Sequence, residues 1–408
     1  MKKTLAAVAV LGAFAGSAFA ADVTLYGKVD LGLLYSNTNA DSIVGNSTDG
    51  YSVENVKSDK MSMKSGGNSG SRWGIKGTEQ ISEGLTVGFQ LEGGFTADDG
   101  EQAQNRGVFS RESRLYVQTD FGEIGLGRMG GLDSGSGTYD IVSDGYAMST
   151  GWGDSIGNTG NIFLGQSDRF DNMITYKSPT FAGVTVYAQA SLQKASSKTE
   201  VEGSSDTDRY YALGATGNWG ALSTALVFST TDYKRDWVNA EGEAKAPQTD
   251  SELAKADGRE DMSKVLTGYV SYDFGMIKPM LAAQYFDDVK GISWEASGAF
   301  KDDFHLANLS KKGYGVTLGA TAPLAGGTAF AMVGYNDFES TEELPGAKKA
   351  EFDTINFGVG YQYPLSKRTY LYTAAGYTKM SGEWKSEEGK LDTDKKTTEV
   401  VAGIVHNF

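Results

Sequence analysis

The chain has 408 residues with 54 Gly, 21 Tyr, 19 Phe and no Cys, and its formal net charge is −15. Taking Lys2 and Lys3 from the 37 basic residues leaves 35 against 52 acidic ones, about −17 for a chain without its first twenty residues. Such a chain lacks the basic face that phosphate binding requires, so nucleic acid is not an expected partner, and no disulfide framework can hold its loops.

Residues 1–20 read as a secretory leader to be cleaved after Ala20: Lys2 and Lys3, an apolar run from Leu5 to Phe14, then Ala18-Phe19-Ala20. That run is too short to span a bilayer as a helix. The rest, 21–408, reads as one domain. Its most apolar later stretch, Tyr314 to Tyr335, is broken by Pro323, Gly326 and Gly327, which suit a turn between strands better than a spanning helix.

Alternation begins at once. Val23, Leu25, Val29, Leu31, Leu33 and Tyr35 fall on one face, and Thr24, Tyr26, Lys28 and Asp30 on the other. Short turns follow at 82–84, 120–123, 179–183, 218–220, 274–276, 323–327 and 364–368. They imply sixteen strands near 22–36, 71–81, 85–95, 109–120, 123–129, 169–178, 184–193, 209–218, 221–233, 263–274, 277–287, 312–322, 327–338, 352–363, 369–380 and 397–408. The long polar stretches 37–70, 130–168, 234–262 and 288–311 read as loops at the other end. Short turns at one end and long loops at the other predict an all-β, 16-stranded antiparallel transmembrane barrel rather than a soluble sandwich. On the last strand Thr398, Val400, Ala402, Ile404, His406 and Phe408 share a face, and the chain stops on the aromatic.

These residues resemble the general diffusion porins of Gram-negative bacteria, in the branch found in Neisseria and other β-proteobacteria. The likeness rests on Val23-Thr24-Leu25-Tyr26-Gly27-Lys28-Val29-Asp30, on Ser71-Arg72-Trp73-Gly74-Ile75-Lys76-Gly77-Thr78-Glu79, and on Asp120-Phe121-Gly122-Glu123 leading to Gly127-Arg128. Arg169-Phe170-Asp171-Asn172 leading to Tyr176-Lys177-Ser178-Pro179 continues it, in order, along the whole mature chain. The resemblance implies a homotrimer in outer-membrane lipid and lipopolysaccharide, with an inward-folded third loop at about 130–168 that narrows the pore. It also implies that Ile404, His406 and the terminal Phe408 form the signal read by the barrel-assembly machinery. Val405-His406-Asn407-Phe408 departs from the family's usual basic penultimate residues.

A pore works through size and field, so charged lumen positions carry its chemistry. Alternation turns Arg72, Lys76 and Thr78 inward on the second strand, Arg114 on the fourth, and Arg169, Asp171 and Lys177 on the sixth, with Phe170 on the oily side. Arg128 shares parity with Ile124 and Leu126 and would face lipid. The resemblance places it in the pore, by way of a bulge at Gly127, and that placement is the one expected here. Asp133, Asp140, Asp144 and Asp154 on the third loop are the acids expected to face the arginines and set a transverse field for small hydrophilic solutes. Weak selectivity leaning to anions follows, because screening mutes the outer loops more than a narrow throat.

No enzyme is expected. His305 falls in a long loop and His406 on the lipid face, neither poised as a general base, and no cysteine nucleophile, metal site or cofactor motif is legible. A substrate-specific channel, or a barrel serving mainly as an adhesin or structural protein, is the alternative. Saturable uptake of one solute would mark the first, and a folded barrel that never conducts the second.

Overall fold

The computed structural model describes residues 22–46, 50–103, 107–148, 152–194, 207–233, 262–290, 310–341, 349–385 and 390–408. The leader expected at 1–20, His305 and most of the loops at 234–262 and 288–311 lie outside them. Seventeen strands run antiparallel in chain order: β1 (Thr24–Asn46), β2 (Gly50–Ser65), β3 (Arg72–Ser82), β4 (Leu85–Gly94), β5 (Glu112–Thr119), β6 (Gly122–Gly130), β7 (Arg169–Lys177), β8 (Val184–Ser191), β9 (Arg209–Trp219), β10 (Leu222–Asp232), β11 (Lys264–Tyr272), β12 (Lys278–Lys290), β13 (Ser310–Leu324), β14 (Gly327–Ser340), β15 (Lys349–Pro364), β16 (Thr369–Lys385) and β17 (Lys390–Asn407). β1 pairs with both β2 and β3, each strand from β3 onward pairs with the next, and β17 closes on β1 from Lys28↔Asn407 to Ala40↔Lys395.

Seventeen strands fill sixteen positions. The lower part of β1 pairs with β3, Thr24↔Lys76 to Lys28↔Arg72, and its upper part with β2, Leu31↔Ser65 to Asn46↔Gly50. β2 and β3 are therefore two halves of one wall strand. Most of the stretch 37–70, expected to be loop, is this tall hairpin. Its polar residues mislead a reading by composition, because above the lipid belt neither face of a strand needs apolar side chains.

The outer surface is apolar and the inner one polar, inverting a soluble core. On β14, Val333 and Tyr335 are 42% and 41% exposed, while the flanking Met332 and Asn336 are 2% and 0%. Closure removes every strand edge around the wall and pairs the backbone polar groups, which is what a hydrocarbon environment demands. No helix among the described residues is long and apolar enough to cross a membrane; strands make the crossing. At the closure Phe408 exchanges both backbone hydrogen bonds with Gly27, at 3.0 and 3.1 Å, and His406 meets Thr369 Oγ1 at 2.9 Å. Ile404, on the same face, is exposed on the outer surface.

Candidate functional site

The stretch after Gly130 does turn inward. Two apolar clusters carry it. Leu132, Tyr139, Ile141, Val142, Tyr146, Ile162 and Phe163 pack on wall residues from Met129 and Phe170 to Tyr269 and Ala282. Farther along, Ala147, Met148, Trp152 and Ile156 pack on Met280, Met332, Tyr372, Ala374 and Val401. Full burial of a side chain of this size contributes about 1.5–3 kcal/mol, so these contacts hold the loop firmly against the wall. Small wall residues make room: a Cβ at Gly315 would lie 2.3 Å from Ile162 O, and one at Gly358 would lie 2.9 Å from the Gly157 amide.

Buried polar side chains of the wall then satisfy the loop's backbone, as buried polar groups must be. Glu399 Oε2 accepts from the Asp154 and Ser155 amides at 3.0 and 2.8 Å, and Asn356 donates to Ser155 O at 2.7 Å. Asn336 donates to Asn161 O at 2.7 Å, and Gln284 accepts from the Gly165 amide at 2.8 Å. Glu112 accepts from the Thr138 amide and hydroxyl at 2.6 and 2.7 Å.

The expected loop acids divide by role. Asp133 is fully buried, accepting from Tyr210 at 3.2 Å and Ser229 at 2.8 Å, and so faces the wall rather than the water. Asp140 accepts from the Gly135 and Ser143 amides at 2.9 and 3.2 Å. Asp144 is exposed in the short 3-10 turn Ser143–Gly145, and the exposed Asp154 forms an ion pair with Lys64. Four acids on one loop thus leave two at the water surface.

Burial raises the Asp140 carboxyl from its ordinary 3.8 to about 6, against the pull of its amide donors. A carboxyl shifted this way stabilises the seated loop fully below about pH 4 and loses that contribution as the pH climbs through about 6. Carboxyl-carbon NMR of the solubilised barrel should find its midpoint near 6, and one near 4 would mean that the carboxyl is hydrated.

The basic residues also divide. Arg114 is enclosed: it donates to Tyr139 Oη at 3.0 Å and Gln90 Oε1 at 3.1 Å, with Glu112 and Glu123 both at 3.4 Å. Arg72 donates to Gly70 O and Ser69 Oγ and stands 3.9 Å from Glu92. Lys76 stacks over Tyr26 at 5.3 Å on the lumen face. Lys177 has the lumen parity of Thr175 and is exposed. Arg169 is buried, its Nε unpartnered among the described residues, and the charges acting on it are those of Arg111, Asp168, Arg72 and Glu112.

Arg128 and Asp171 depart from the expectation. Arg128 stands opposite Ser113, while the inward Arg114 stands opposite Gly127, so Arg128 keeps the outer face of Ile124 and Leu126. Strict alternation, not the bulge, describes this side of the pair. The irregularity lies on β7, where Asn172 has φ +51° and the register passes from Gly127↔Met173 to Met129↔Phe170. That slip turns Phe170 into the inner cluster and brings Asp171 to Arg128, 2.5 Å away.

Arg111 was not among the expected residues. Its Nε lies 2.6 Å from Glu92 Oε1, which also puts it beside Arg72. Read as part of a strand from 109, it has lipid parity; β5 in fact begins at Glu112, which frees Arg111 to turn inward.

A closed barrel with an oily outside, a polar lumen and a loop folded into that lumen defines an outer-membrane channel. The chain belongs to the Gram-negative porin family, whose model matches residues 6–383. It is 29% identical over 434 residues to an outer membrane porin protein of Bordetella pertussis, covering all of both chains. It is 31% identical over 275 residues to outer membrane porin protein 32 of Delftia acidovorans, covering 58% of this chain and 71% of that one. Among solved structures, the anion-selective porin from Comamonas acidovorans superposes with a TM-score of 0.58 at 21% identity, covering 95% of this chain and all of that one. The protein is thus an outer-membrane porin, a member of a family of channels rather than enzymes.

Proposed function

We propose that this chain, exported by a leader at 1–20 and assembled through its terminal Phe408, forms a homotrimer of water-filled channels through which ions and small hydrophilic solutes diffuse passively. The carrying observation is the division of the lumen. The inward loop packs on the walls from β6 to β17 and reaches β5 at Glu112 and Arg114, leaving Lys28, Arg72 and Arg111 half-buried and Lys76 exposed on the remaining wall. The throat lies between them.

Around that throat Arg72 and Arg111 gather against Glu92, with Arg169 near enough to feel both of their charges, while Asp133 and Asp140 are withdrawn into the loop's own anchorage. The local field is therefore more positive than the chain's net charge suggests, which supports a modest anion preference. Lipopolysaccharide and lipid contact the apolar outer belt, and the barrel-assembly machinery reads the last strand.

Planar-bilayer recording of the refolded mature chain tests this. Openings in groups of three, with a reversal potential in a salt gradient favouring anions, are expected. A folded barrel that carries no current would favour the adhesin reading, and saturable passage of one solute a substrate-specific channel.

A further inference from the structure

Between β2 and β3 the chain leaves the wall for residues 66–71, and the excursion goes inward. Asp30, fully buried on the lumen side of β1, gathers it. Its Oδ2 accepts from the amides of Asn68 at 2.8 Å and Ser69 at 2.7 Å, Oδ1 accepts from Tyr372 at 2.7 Å, and its carbonyl accepts from the Gly66 amide at 3.0 Å. Asn68 Oδ1 in turn accepts from Tyr370 at 2.9 Å and Gln362 at 3.1 Å, both on the lumen face. Two glycines permit the path. Gly66 has φ +71°, and a Cβ at Gly67 would lie 2.5 Å from Tyr372 Oη and 3.2 Å from Val401.

The turn touches both sides of the throat. Toward the inward loop, Gly67 O accepts from the Gly153 amide at 2.8 Å, and Lys64 just before it pairs with Asp154. Toward the basic wall, Ser69 Oγ accepts from Lys28 Nζ and from Arg72 Nη2, both at 3.1 Å, and Gly70 O accepts from Arg72 Nε at 2.9 Å. One hydroxyl and one carbonyl thus hold two like charges together. Without those acceptors, repulsion and the rotamer entropy of two long side chains would spread the cations over the lumen.

We propose that residues 66–71 form a second constricting element that determines selectivity, tying the tip of the inward loop to the wall and aiming Lys28 and Arg72 into the throat. The proposal rests on the channel reading above. It concerns which residues set the field, so it can fail while the channel stands.

The test is bilayer recording of the full mature chain as wild type, Ser69→Ala and Asp30→Ala, with heat-modifiable gel mobility as the check on folding. Ser69→Ala removes only the shared hydroxyl, from a half-buried site, and should lower the anion-to-cation permeability ratio by about twofold. Asp30→Ala releases the whole turn and should raise single-channel conductance by roughly half; because it also deletes a carboxylate near Lys28, the permeability ratio is read from Ser69→Ala. Should Asp30→Ala not fold, Ser69→Ala alone decides. Folded variants with wild-type conductance and reversal potential would overturn the proposal and leave the channel reading intact. A wild-type barrel that folds and carries no current would remove both.

Discussion

Replacing Arg111 and Arg169 together with glutamine is expected to bring the reversal potential of the channel through zero, from anion to cation preference. Arg111 is the nearest cation to Glu92, at 2.6 Å, whereas Arg72 stands 3.9 Å away and Tyr26 donates at 3.0 Å. Loss of Arg111 therefore subtracts a positive charge and also uncovers a carboxylate. A unit charge about 8 Å from a permeating ion contributes about 2 kcal/mol at an effective dielectric constant near 20, and screening leaves roughly 1 kcal/mol. Each arginine then changes the permeability of an anion and of a cation by about fivefold each, in opposite senses. Arg128→Gln is the control. It lies on the outer face, so it should leave the reversal potential alone while lowering thermal stability, because Asp171 loses the partner 2.5 Å from it. A double variant that keeps wild-type selectivity would remove the arginines from the throat.

How much of this is legible in the sequence depends on whether a residue obeys the period of two. The wall strands are legible because lipid demands an apolar residue at every second position: Leu25, Leu33 and Tyr35 are exposed on the outer surface as their parity requires, and Asp30 is buried inside. Alternation fails where the chain leaves that regime. Above the lipid belt it carries no signal, so the β1–β2 hairpin reads as loop. At a positive φ it slips by one, so Asn172 reverses the faces of Phe170 and Asp171. At a strand end it does not apply, so Arg111 is missed.

The inward loop is legible as a loop and illegible as a docked object. Its acids suggest solvent-facing charge, yet Asp133 and Asp140 are spent on anchorage. The residues that seat it, Glu399, Asn356, Asn336 and Gln284, are scattered over four strands. Only the folded register brings them to one groove.

That groove makes a second strong prediction, at Gly315. A Cβ there would stand 2.3 Å from the carbonyl oxygen of Ile162 and 3.0 Å from the Phe163 ring, with Ile162 and Phe163 0% and 1% exposed. The wall cannot yield, since Gly315 is paired to Gln284 on one side and Asn336 on the other, and both of those side chains also hold the loop. In Gly315→Leu the loop must therefore give way, and the lumen is the space open to it. Overpacking of this kind costs about 1–3 kcal/mol, well short of what a closed barrel of this size needs to unfold. The expected outcome is a barrel that keeps its heat-modifiable mobility, melts a few degrees lower and conducts less than about half the wild-type current, because displaced loop now fills part of the throat. Unchanged conductance would show that the loop does not bound the narrowest section. Increased conductance would show that it leaves the lumen altogether when its seat is filled, so that the groove, rather than the loop's own rigidity, keeps the channel narrow.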